Sequence, residues 1–157
     1  MSFIKSLLSF GFDFSQAYAS AKTQTANVKD TLNRLLSTKE NVSAEEFMQM
    51  YDLRIYDISS KQNDIKIMNK IEFEGVYILH NKSKNKYYVG KGNKIFKKID
   101  RHFRGYGNID VYKDLQSGNK FYVRIIRLKD SGYDNIDILA NEISKKYKAY
   151  EDGYNKN

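Results

Sequence analysis

Two tyrosines eleven residues apart, Tyr77 and Tyr88, sit on short apolar runs joined by a polar turn. Downstream, Lys94, Lys97, Lys98, Arg101 and Arg104 recur at steps of three and four, which on a helix lines them along one edge. A cationic edge beside exposed aromatics suits a polyphosphate strand, because counterion release and ring stacking both reward it. The same spacing also describes an ordinary solvated helix face. Further on, Glu142 falls three residues after Leu139 and next to Ile143, at the margin of an apolar stripe. Carboxylates are seldom buried unless they are paired or metal-bound, so this position serves either an ion pair or a hard cation.

The elements that must carry these groups can be read from apolar periodicity. Gly75 to His80 and Tyr87 to Gly90 flank the polar turn Asn81 to Lys86 and predict a β-hairpin. Ile95, Phe96, Ile99 and Phe103 repeat at helical spacing, as do Ile109, Tyr112 and Leu115 before Gly118. Phe121 to Leu128 reads as a third strand, and Ile136, Leu139, Ile143, Tyr147 and Tyr150 as one last helical stripe. The expected fold class is α+β, a small three-stranded antiparallel sheet flanked by helices in ββααβα order. A domain of residues 71–157 is expected, preceded by a mostly helical accessory region of residues 1–70.

In that first region apolar residues keep a helical period from Ile4 to Leu35, broken near Gly11 and Thr25. Ser43 followed by Glu46 is a capping box ahead of Phe47, Met48 and Tyr51, and Ser59, Ser60, Gln62 and Asn63 mark a turn or linker. The region can pack on the domain that follows, or serve as an arm for a homodimer, a protein partner or DNA.

Composition narrows the classes. With no cysteine and only His80 and His102, thiolate or histidine-rich metal sites are excluded, so any metal would be oxygen-bound. No apolar run approaches the roughly 20 residues needed to span a bilayer, and no membrane partner is expected. Lys5, Leu7, Leu8 and Phe10 before Ala17 to Ala21 look like a weak secretory leader, but Asp13 argues against that, and a cytoplasmic location is expected. Of the net charge of +8, +7 belongs to residues 71–157, which also hold ten of the thirteen tyrosines.

Gly75-Val76-Tyr77 and Tyr88-Val89-Gly90, on the two arms of one hairpin, resemble the paired motifs of the GIY-YIG nuclease family. Arg101-His102-Phe103 is similar to the basic segment that homing endonucleases of this family carry, and Gly153-Tyr154-Asn155 to their closing motif. The likeness covers about residues 73–157. It implies a metal-dependent DNA endonuclease using one Mg²⁺ or Mn²⁺ ion. Tyr77 would activate water, Lys98 with Arg101 would hold the scissile phosphate, and Glu142 would bind the metal. A single carboxylate with waters and a substrate phosphate suits Mg²⁺, which is seldom caged by protein alone. Tyr88 and His102 would support these groups. Gly90, Lys91, Lys94, Lys97, Arg104 and Asn155 would line the substrate path, with Asn155 serving either phosphate or the C-terminal tail. Gly90 and Gly92 would allow the turn into the helix and close approach of substrate.

One departure from the family pattern stands out. The position of the family's catalytic arginine falls on Lys98, a point charge where a guanidinium would grip two phosphate oxygens in a fixed fork. Loss of one aligned donor from a charged transition state costs about 10²- to 10³-fold in rate. The alternative expectation is therefore a weakened fold that binds DNA, or a host protein as a phage or mobile-element factor, without cutting.

Overall fold

The computed structural model describes residues 28–37, 42–56 and 72–156. In chain order the elements are α1 (Val28–Ser37), β1 (Val42–Ser43), α2 (Ala44–Tyr56), β2 (Gly75–Asn81) and β3 (Lys86–Gly92). They continue with α3 (Ile95–Phe103), α4 (Ile109–Gln116), β4 (Phe121–Arg127), α5 (Leu128–Ser131) and α6 (Ile136–Lys146). The leader-like segment, most of the Ile4 to Leu35 period and the turn near Ser59 lie outside the described residues.

The hairpin forms where its alternation predicts. Tyr77 pairs with Gly90 and Leu79 with Tyr88 across β2 and β3. Its turn places Asn85 at a φ of 52°, a left-handed conformation that asparagine tolerates. All neighbouring strands are antiparallel, in the order β1-β4-β2-β3. The sheet thus has four strands, one more than the sequence pattern suggests. The extra strand is Val42–Ser43, which pairs with Val123 and Tyr122. Two residues carry no alternation to read.

The two sheet faces bury different residues because strand side chains alternate. Tyr77, Leu79, Phe121, Val123 and Ile125 face a core closed by Phe47, Ile95, Phe96, Ile99, Phe103 and Val111. Val76, Ile78, Val89 and Ile126 face a second core closed by Leu32, Leu36, Leu139 and Ile143. The result is a sheet between two helical layers, an α+β arrangement.

Residues from the accessory region are built into the first core. Glu46 N–H donates to Ser43 Oγ at 3.1 Å, as the capping box predicts, and this fixes the start of α2. Phe47 is then fully buried, 6.3 Å from Phe96 in a stacked pair and 6.1 Å from Phe103 edge-on. Truncating such a phenylalanine to alanine costs about 3–5 kcal/mol. Chain on both sides of residue 70 therefore shares one core. Among the described residues no helix is long and apolar enough to cross a membrane.

Candidate functional site

A cleft of about 490 Å³ opens between β3 and α6. Tyr77, Tyr88, Gly90, Lys91 and Lys98 line it from one side, and Asp137, Ala140, Asn141, Ser144, Tyr150, Asn155 and Lys156 from the other.

The first wall is a hydrogen-bonded chain. Asn108 N–H donates to His102 Nδ1 at 2.8 Å, and His102 Nε2 lies 2.8 Å from the Tyr77 hydroxyl. A backbone N–H can only donate, so Nδ1 is the bare nitrogen of a neutral ring and the proton sits on Nε2. The ring is neutral because burial, with Lys98 and Arg101 nearby, lowers its pKa to about 4. His102 therefore donates to Tyr77, and the Tyr77 ring packs on that of Tyr88 with centroids 6.0 Å apart. Tyr88 lies next outward and lines the cleft. Burial raises the pKa of both tyrosines, so they remain phenols and hydrogen-bond donors at neutral pH.

Gly90 and Gly107 make room for this chain, and Gly92 for Lys98 beside it. A Cβ on Gly90 would lie 2.1 Å from Tyr77 Cζ, one on Gly107 2.4 Å from His102 Nδ1, and one on Gly92 2.9 Å from Lys98 Nζ. The sequence reading assigns Gly90 to substrate approach and the turn into α3; it lines the cleft, and the space its missing side chain leaves is filled by the Tyr77 ring. Lys98 Nζ lies over Gly92 and donates to the Lys91 carbonyl at 2.8 Å. An ammonium has three donors, so two remain for a ligand.

Of the expected basic edge, Lys98 alone reaches the cleft. Lys94, Lys97, Arg101 and Arg104 are exposed and do not line it. Lys94 and Lys97 face Glu72, whose carboxylate accepts from Phe96 N–H at 3.0 Å at the start of α3, and Arg104 pairs with Asp100 at 3.2 Å. Lys91 lines the cleft but is held in an ion pair by Asp137.

The second wall departs from expectation. Glu142 lies at the margin of the buried stripe, as predicted, but at the margin turned away from the cleft. At about 100° per residue, it lies roughly 150° round the helix from the mean direction of Asp137, Ala140, Asn141 and Ser144. There it is half-buried and bears on Tyr133. That wall offers Ala140 and Asn141 to the cleft in place of Glu142, to which the resemblance assigns the metal, and its one carboxylate, Asp137, is paired with Lys91. Among the described residues no three His, Asp or Glu side chains gather closely enough to hold a metal ion.

Asn155 lines the cleft and takes the structural of its two expected roles there. Its Oδ1 accepts from Val89 N–H and its Nδ2 donates to the Val89 carbonyl, each at 2.8 Å. Tyr154 beside it is buried, with its hydroxyl 2.7 Å from Asn81 Nδ2 and 2.5 Å from Asp114 Oδ2. The closing Gly-Tyr-Asn segment thus docks the tail.

The sequence reading missed Asn108, Asp137 and Tyr150. Asn108 could have been found as an N-cap: it accepts from Asp110 and Val111 N–H and also holds the Tyr154 carbonyl at 2.9 Å. Tyr150 was assigned to the buried stripe. The helix instead ends at Lys146, Lys148 takes a φ of 51°, and Tyr150 emerges half exposed at the cleft. No protein-family model, curated protein or solved structure matches this chain.

Proposed function

We propose that this protein binds nucleic acid by gripping a backbone phosphate in the cleft between β3 and α6, on a GIY-YIG-like scaffold that does not cut with a metal ion. The observation that carries this reading is the pairing of two kinds of wall. One presents the Tyr88 O–H and the Lys98 ammonium, both protonated donors suited to an anionic oxygen. The other presents Ala140 and Asn141, with Glu142 turned away. The basic balance of residues 71–157 supports an anionic strand as partner.

Fluorescence anisotropy with labelled DNA across a salt series tests the grip. The expected result is salt-sensitive affinity that Lys98→Ala weakens about tenfold, with the slope of log K against log salt falling by about 0.7–0.9 for the lost phosphate contact. Absence of binding at low salt, or an unchanged Lys98→Ala, overturns the proposal. Supercoiled plasmid with Mg²⁺ or Mn²⁺ is expected to stay intact.

A second reading, metal-dependent DNA cleavage, draws support from the ordered motifs and the Tyr77–His102 contact. It prevails if the plasmid is nicked, if Tyr77→Phe abolishes nicking, and if Lys98→Arg increases it.

A further inference from the structure

Three tyrosines line the cleft, and they are not equivalent. Tyr77 and Tyr88 pack on each other with centroids 6.0 Å apart, and both pack on His102, at 5.6 and 4.5 Å. Tyr150 is 50% exposed, and among the described residues its ring stacks on no other ring and its hydroxyl forms no hydrogen bond. Its position follows from the chain reversal after α6. Ala149 is fully buried, its N–H donates to the Ser144 carbonyl at 3.0 Å and its own carbonyl accepts from Asn155 N–H at 3.0 Å. With Ala149 fixed on both sides, the next residue is held outward at the rim, close enough to Tyr88 for a charge on one to bear on the other.

An aromatic ring held at the rim of a cationic cleft is what an unpaired base requires. Inside a duplex each base face is covered by its neighbours, whereas a single strand can splay a base onto a protein ring. The cleft volume of about 490 Å³ falls among cavities for small ligands, about 300–1,000 Å³. It is of a size to hold one nucleotide unit. We propose, resting on the phosphate-gripping function above, that the cleft selects unpaired strands: one phosphate on Lys98 and Tyr88, and the adjoining base stacked on Tyr150.

Three labelled probes of equal length separate the terms by anisotropy with the full chain: an oligothymidylate, a fully abasic strand, and a duplex. The parent is expected to bind the oligothymidylate about 5- to 100-fold more tightly than the abasic strand, which keeps every phosphate and lacks the bases. Tyr150→Ala is expected to bind the two alike, at the abasic level, while Tyr150→Phe keeps the preference. Because the ring is exposed, both variants should melt with the parent. Equal affinity of the parent for thymidylate and abasic strands, a preference for duplex, or a preference surviving in Tyr150→Ala overturns base selection and leaves the phosphate grip standing. Salt-sensitive binding of none of the three probes overturns the grip itself.

Discussion

The two walls of the cleft are made differently. On the β3–α3 side the functional groups are part of the core: Tyr77 and His102 are buried, each is fixed by a directed hydrogen bond, and each lies against a glycine that leaves it room. On the α6 side the side chains of Asp137 and Tyr150 are exposed, the first in an ion pair with Lys91 and the second with no side-chain hydrogen bond among the described residues. Rigid, buried groups resist exchange because replacing one strands its partners. An exposed helix face accepts substitution freely. The wall from which Glu142 turns away is thus the wall the fold constrains least.

That contrast can be broken most severely at Gly90. Gly90→Ala drives a Cβ into the Tyr77 ring, and overpacking of this kind costs about 3 kcal/mol or more. Thermal denaturation is expected to show a large fall in Tm, and a Tm within 2 °C of the parent, about 0.5 kcal/mol on the usual scale, would refute the tight packing. Acid comes next. The His102 pKa is depressed from an ordinary value near 6.5 to about 4, so its contribution is intact above pH 6.5 and disappears as pH falls through 4. The shift corresponds to ~3 kcal/mol in all. Urea denaturation at pH 7 and pH 4 should show a smaller drop in His102→Gln than in the parent; equal drops would mean that the imidazole is not held neutral.

The exposed wall gives smaller effects. Asp137→Asn releases Lys91 from its ion pair, and DNA affinity is expected to rise about three- to tenfold at low salt, with a steeper salt dependence. Unchanged or weaker binding would mean that Lys91 does not meet the strand. Glu142→Gln should leave DNA affinity within about twofold and produce no change on adding Mn²⁺, since it faces Tyr133 and not the cleft. A Mn²⁺-dependent loss in that variant would restore Glu142 to the site.

Much of the constrained wall was legible in the sequence, and little of the other. The alternation through Tyr77 and Tyr88 places both on one sheet face, and the Ile95–Phe103 period turns His102 inward with them. Helical spacing also set Glu142 at the border of its stripe. A stripe has two borders, however, and which one meets the sheet edge depends on how α6 lies across β3, a relation between segments some fifty residues apart. Tyr150 was misassigned for a local reason, the left-handed Lys148, since lysine gives no warning of a positive φ. Lys98 was singled out by counting from the hairpin, yet its neighbours on the same helix edge were not separable from it until the curvature of the cleft was known.

The docked tail has a consequence beyond the cleft. Among the described residues β3 is the last strand of the sheet, and four of its outward backbone groups are met without another strand: the Tyr87 carbonyl by Tyr154 N–H, both groups of Val89 by the Asn155 amide, and the Lys91 carbonyl by Lys98. The asparagine amide stands in for a peptide bond and terminates the ladder. Without those last residues the sheet would offer an open template for a second copy, and self-association would be the first symptom of their loss.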